Sequence, residues 1–369
     1  MSTQLKDERE LLSKPGDTIL ETLEHIKMSQ AELAERMGKT PSKVNDIISG
    51  KEPITVTTAL QLEKVLNIDA QFWLNREMKY REKLSRIEQE EALEECVDWL
   101  KQQPVRELKK CGYIKSERIG TDMVAECLQF YGVASPVQWH LMYVNDYAKT
   151  NFRKSEAHQT ALGSMAAWLR IGEIEMRKLD LPDFNKEAFK KKLSEIKPLI
   201  ANHPDDFAKQ LQEECISAGV ALIYTMCLPK APVSGATRWI GGNPLIQLTD
   251  RYKANDHFWF TFYHEAGHVL LHGKKDIFIE EFEGYQPDKE KEDQANTFAR
   301  NWLLPEQFND ELPFRIVEED VMPLAEKYNT HPAVVVGRLQ YLGLVSYSFG
   351  SKFKEKVTLE NYFGMENEK

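Results

Sequence analysis

The sequence predicts a mainly α-helical protein with a small mixed β-sheet, an α+β chain built from several domains. Three observations lead there. Apolar residues recur at helical spacing through most of the first two hundred positions, most clearly in the amphipathic stretch Ala161–Lys178. Strand-like segments come only later, at Val220–Tyr224 and Pro244–Thr249. Two more helical patterns then follow before Pro305. With 369 residues the chain is long enough for roughly two to three domains. Its 42% hydrophobic and 29% charged residues suit a protein with real cores and exclude chain-wide disorder. The net charge of −10 excludes a protein that coats nucleic acid non-specifically, but leaves room for a local DNA-reading module.

The first 79 residues read as a compact helical bundle. Ser29-Gln-Ala-Glu32 has the form of a capping box, and the helix it opens turns Leu33, Ala34 and Met37 inward before Gly38 stops it. Thr40-Pro41 starts a second helix, with Thr as N-cap and Pro in the first turn. Val44, Ile47 and Ile48 face the core, and Ser49-Gly50-Lys51 ends that helix. Two short helices around a tight turn make a helix-turn-helix candidate. From Glu24 to Arg76 there are seven basic and seven acidic side chains, and near the second helix positive charge comes only from Lys39, Lys43 and Lys51. DNA affinity on that footing calls for a dimer on paired half-sites; the alternative use is protein contact.

Residues 80–200 read as a helical connector. Leu169, Ile171, Ile174 and Met176 form a packing stripe. Lys186–Lys197 is either a charged linker or a surface helix, since Phe189, Leu193 and Ile196 keep helical spacing. Residues from about Tyr80 to Glu156 carry no motif. The five cysteines are odd in number and form no CxxC pair, which suggests neither a zinc ribbon nor a disulfide framework. The start is polar, and no apolar run approaches membrane-spanning length. A cytoplasmic protein with no membrane partner is expected.

The strongest chemical signal is His264-Glu265-Ala-Gly-His268 within a long apolar helical run. Histidines four apart on a helix project from one face, so both imidazoles can reach one metal ion. The helix is expected to open after Asn255-Asp256 and to close at His272-Gly273, with the glycine in the C′ position. Downstream, Ala295, Phe298, Ala299, Trp302 and Leu303 form a buried helical stripe, and Glu292 projects from that same face. A carboxylate turned into a core is costly unless paired or metal-bound. Asp293 instead shares a face with Asn296, Thr297 and Arg300, and Glu290 lies off the stripe.

His264, His268 and Glu292 are therefore the expected ligands of Zn2+, leaving the fourth position that marks a catalytic site. Glu265 is the expected general base for hydrolysis of a peptide or amide bond. Tyr263, His272, Tyr285, His331 and Arg338 all remain open as the group that stabilises the oxyanion.

Residues from about Ala201 to Leu344 resemble the ImmA/IrrE family of metallopeptidases. The matching pieces are Ser234-Gly-Ala-Thr-Arg-Trp239, the edge-strand candidate Pro244–Leu248, Phe260–His272, Glu292–Pro305 and Leu324–Gly343. The resemblance implies a zincin-like metallopeptidase domain at 201–345, followed by a tail at 346–369. It implies that the two histidines and Glu292 bind zinc, with Glu265 as base. It also implies a protein substrate or partner such as a repressor or toxin. An edge strand beside the site would take an extended peptide by strand addition. The helical pair in Met322–Val345 is read as part of that domain's core.

The N-terminal segment resembles the XRE family, and Glu52-Pro-Ile-Thr with Phe72-Trp-Leu-Asn75 narrows this to HigA-type domains. Carried over by position, Pro41, Ser42, Lys43, Asn45 and Asp46 face base edges. Gln30, Thr40, Ser49 and Lys51 position phosphates. The implied whole is a DNA-binding regulator, acting on an operator as a homodimer, that carries a zinc endopeptidase. The alternative is an antitoxin or autorepressor whose metal domain only senses or binds a partner.

Overall fold

The computed structural model describes residues 3–144, 156–231, 233–249, 251, 254–274, 278–279, 288–359 and 362. They form two compact units, Met1–Asp98 with Arg118–Ala125, and Trp99–Glu117 with Glu126–Lys369. The protein is mainly α-helical with one small mixed sheet. No helix among the described residues is long and apolar enough to cross a membrane.

In the first unit, helices Pro15–Ile26, Gln30–Met37, Pro41–Ile48 and Val56–Leu66 surround a core built from Ile19, Leu33, Val44, Ile47 and Leu62. The turn between the second and third is made as its residues dictate. Ser29 Oγ accepts the Glu32 amide at 3.1 Å, which satisfies one orphan donor of the helix start. The reciprocal half of the capping box is absent, because the Glu32 carboxylate takes Arg36 at 2.6 Å instead. Gly38 caps the helix at φ 64°, a left-handed conformation that favours glycine. Thr40 then caps the next helix by accepting the Lys43 amide. Trp73, fully buried, closes the core from helix Ala70–Glu95. That single helix runs through residues 79 and 80, so no break in the backbone falls there.

In the second unit the sheet runs β1-β3-β2-β4. Strand β1 (Ala221–Thr225) pairs parallel with β3 (Asn243–Thr249), and β2 (Gly235–Ile240) pairs antiparallel with β3. The two-residue β4 (Phe278–Ile279) joins the far side of β2. The sequence expectation of an edge strand at Pro244–Leu248 is thus corrected. That segment is the interior strand β3, hydrogen-bonded on both sides and buried from Pro244 to Thr249. A run buried on both faces is what an interior strand requires. Strand addition at Pro244–Leu248 is therefore excluded. β2 was not recognised as a strand from its residues.

Side chains alternate between the two faces of this sheet. Leu222, Tyr224, Ile246 and Leu248 join the main core with helix Asn255–Leu271. Ala221, Ile223 and Leu245 meet Met176 of helix Glu156–Met176 on the opposite face. There Gln247 donates Nε2 to the Trp168 carbonyl at 2.7 Å, and Arg238 Nη2 donates to the Leu169 carbonyl. A Cβ on Gly172 would lie 2.0 Å from Gln247 Oε1, so a larger residue there would push the Gln247 amide from its place. The helix packs on more than the one stripe its sequence suggested: every residue from Leu162 to Leu169 is buried. Its far side is occupied too, since a Cβ on Gly163 would meet the Gln102 carbonyl at 1.7 Å.

Lys186–Glu195 is a helix rather than a linker. Asn185 caps it through the Ala188 amide, and Phe189, Leu193 and Ile196 are buried in the main core. The late helical pair, Val321–Tyr328 and Pro332–Tyr341, also packs into that core through Ala325, Val335 and Leu339. Val357 and Leu359 extend it into the tail.

Candidate functional site

Helix Asn255–Leu271 is buried along almost its whole length, which is why its sequence is apolar around nearly the full turn. It ends at His272 in an extended conformation whose amide reaches the His268 carbonyl. His264 and His268 are 2% and 1% exposed and face helix Lys289–Leu303, which starts from an Asp288 cap. Ala295 and Ala299 are fully buried in that contact, and small side chains there let the two helices lie close.

The structure brings His264, His268 and Glu292 together. His264 Nε2 lies 2.9 Å from His268 Nε2 and 3.2 Å from Glu292 Oε2, and His268 Nε2 lies 3.6 Å from Glu292 Oε1. Atoms bound at about 2.0–2.1 Å to one tetrahedral zinc sit about 3.3 Å apart, and these three separations bracket that figure. Among the described residues no other cluster of three such groups is found.

The outer ring nitrogens settle the protonation of the inner ones. His264 Nδ1 faces Asn296 Oδ1 at 3.1 Å, so Nδ1 carries the proton and Nε2 a lone pair. His272 Nε2 donates to Gln294 Oε1 at 3.2 Å, which leaves its Nδ1 to accept from His268 Nδ1 at 2.9 Å. His268 Nε2 therefore carries a lone pair as well. Two imidazole lone pairs and a carboxylate converge on one point, a donor set that fits a divalent cation. Burial lowers the His268 pKa to about 4, keeping the ring neutral near pH 7. Burial alone would raise Glu292, but in acid, once the rings of His264 and His268 are protonated, their bonds and charge outweigh it and hold the carboxyl at about 2.

Glu265 is fully buried and turns toward β2. Thr237 Oγ1 lies 2.6 Å from its Oε2 and 3.1 Å from its backbone carbonyl. A Cβ on Gly235 would sit 2.7 Å from Glu265 Oε1, so any larger residue at this point of β2 would displace the carboxylate. Thr237, Asn296 and the His272–Gln294 pair were not identified from sequence as supports of the site. The sequence groups Asn296 on one face with Asp293, Thr297 and Arg300, yet it also lies four residues after Glu292, and that i,i+4 spacing is the signal that places it beside the site.

Of the residues open for the oxyanion, Tyr263 is fully buried and donates to the Leu193 carbonyl. His331 caps helix Pro332–Tyr341 and bonds Asn255, at the far end of the motif helix. His272 is engaged with His268 and Gln294. Arg338 is buried beside Leu304 and Arg300. Tyr285 lies outside the described residues.

In the first unit, Gln30, Thr40, Pro41, Ser42, Lys43, Asn45 and Lys51 are exposed, while Asp46 and Ser49 are half-buried. The Thr40 hydroxyl serves as the helix cap, and Ser49 Oγ donates to the Asp46 carbonyl at 3.2 Å. Lys43 forms an ion pair with Glu52, which lowers an already small positive charge on this face.

Residues 218–340 match the family model described as the IrrE N-terminal-like domain, and residues 19–73 match the model described as Helix-turn-helix. An uncharacterized HTH-type transcriptional regulator, YddM of Escherichia coli (strain K12), is 36% identical over 62 residues, 17% of this chain and 66% of that protein. Virulence-associated protein I of Dichelobacter nodosus is 35% identical over 72 residues, 19% of this chain and 67% of that protein. The chain thus spans only about two thirds of the length of these relatives.

Proposed function

For a chain that joins an XRE-type helix-turn-helix domain to an IrrE/ImmA-like peptidase-family domain, we propose a DNA-binding transcriptional regulator that hydrolyses a peptide bond in a regulatory partner protein. The observation that carries this reading is the convergence of the His264 and His268 lone pairs on Glu292. Those three residues would hold Zn2+. A zinc ion there supplies Lewis acidity to a carbonyl oxygen and makes water more acidic. Glu265 takes the proton from the attacking water and returns it to the leaving amine. Thr237 fixes the carboxylate through its hydroxyl. Asn296 and the His272–Gln294 pair hold the two imidazoles in the tautomer that leaves Nε2 free to bind. Ser42 and Asn45 on the exposed face of helix Pro41–Ile48 would read bases in the upstream DNA, with the chain acting as a dimer on two half-sites.

A second reading has support in the complete burial of Glu265 against Thr237. A carboxylate so enclosed can act as a structural hydrogen-bond acceptor in a non-catalytic, partner-binding antitoxin or autorepressor. Replacing Glu265 by Gln separates the two. The zinc-loaded protein is incubated with a neighbouring repressor or toxin and with cell extract, and new termini are sought by mass spectrometry. Cleavage lost in Glu265→Gln supports the peptidase. No cleavage by the wild type, with an unchanged phenotype for Glu265→Gln, sinks it.

A further inference from the structure

A cavity of about 350 Å³ opens in the second unit beside the motif helix, near the lower size limit of small-ligand sites. Its apolar wall includes Phe260, Leu303, Val334 and Tyr341. Two guanidiniums share it. Arg338 is nine-tenths buried, and its Nε has no hydrogen-bond partner among the described residues. Its Nη2 reaches only the Leu304 carbonyl, at 3.4 Å. Arg300 donates Nη1 to the Tyr341 hydroxyl at 3.0 Å and lies over that ring at 5.2 Å. Among the described residues neither arginine forms an ion pair. The one acid in the wall, Asp256, is taken by Lys354 at 2.6 Å. Burial and the like charge of Arg300 lower the Arg338 pKa, against the smaller upward pull of Tyr341 and Glu306.

We propose that this cavity binds a monocarboxylate carried on a bulky apolar body, with Arg300 and Arg338 holding the acid and the aromatic walls holding the rest. Charge-assisted bonds from guanidinium to carboxylate supply the polar end. The cavity adjoins the site described above: Phe260 stacks on His264 with ring centroids 6.2 Å apart, and Thr261 stands beside Glu265 across Gly235. Whether the acid is a free small molecule or part of a bound polypeptide, the chemistry is shared. Only the second source rests on the peptidase reading.

Binding is measured by calorimetry on the full chain, before and after metal chelation, so that it does not depend on turnover. The probes are 4-phenylbutyrate, its uncharged amide, and the capped dipeptide acetyl-Phe-Glu-amide. The acid should bind at least about tenfold more tightly than the amide, with or without metal. Arg300→Gln should remove that preference, and Val334→Trp, which fills the cavity, should abolish binding. Displacement of the acid by the dipeptide assigns the pocket to a polypeptide; binding without displacement assigns it to a small molecule. Equal binding of acid and amide, no binding of either, or binding that vanishes on chelation alone overturns the proposal. So does binding unaffected by Val334→Trp.

Discussion

Thr237 and Glu265 meet across 2.6 Å, a strand hydroxyl against a fully buried helix carboxylate. Because the sheet positions the threonine, the pair ties the candidate base to β2 rather than to its own helix. Replacing the hydroxyl by a methyl in Thr237→Val keeps the shape and removes the donor. Peptide hydrolysis should fall by about 10- to 100-fold, while Thr237→Ser should restore most of it. Equal rates for the Val and Ser variants would show that Thr237 only packs.

Gly235→Ala places a methyl 2.7 Å from Glu265 Oε1 and 2.8 Å from Thr261 Cγ2. The expected outcome is a loss of about 100-fold in turnover at unchanged zinc content, because the three ligands lie on other elements. Metal analysis beside a rate assay checks both halves. Loss of zinc in parallel with activity would refute the separation of base from ligands.

Metal retention and acid stability should fail together as the pH drops. The folded His268 is held at about 4, below the ordinary value near 6.5, so between those values the unfolded chain binds more protons. Stability of the chelated protein must therefore rise with pH through that window, by on the order of 3 kcal/mol. Glu292, held at about 2, acts in the same direction as pH falls below the ordinary carboxylate range. Melting curves at pH 7, 5.5 and 4.5 test the sign, and His268→Ala should flatten the upper part. As purified, about one zinc per chain is expected, absent in His268→Ala.

Lys43 is paired with Glu52 in the free protein. Glu52→Gln releases that charge to the DNA and removes a like-charged carboxylate from the reading face, so affinity for the upstream DNA should rise severalfold, with a steeper salt slope. Ser42→Ala with Asn45→Ala should weaken binding and relax base preference. A Glu52→Gln protein whose salt slope matches the wild type would place Lys43 away from the DNA.

Much of this was legible from residue order because it depends on local spacing. Ser29, Thr40 and Gly38 mark helix ends by chemistry that acts within four residues. His264, His268 and the Glu292–Ala295–Ala299 stripe follow from helical period alone. What escaped depends on pairing between distant segments. The short run Gly235–Ile240 shows no clear alternation, since four of its residues are buried in succession, and nothing local reveals β3 as an interior strand. Asn296 and Gln294 look like ordinary surface amides until two helices cross. The Arg300–Arg338 cavity joins residues nearly forty positions apart and leaves no periodic trace.

The alternation along β2 carries a constraint on how this gene can vary. Consecutive residues there serve opposite sides: Thr237 reaches Glu265, while Arg238 grips the Leu169 carbonyl. Inserting or deleting one codon in this strand would exchange the two, bringing a guanidinium against the metal side and a hydroxyl against the buried helix. Side chains in β2 can be traded one at a time with graded effects. Its length in residues cannot change by an odd number without dismantling both faces at once.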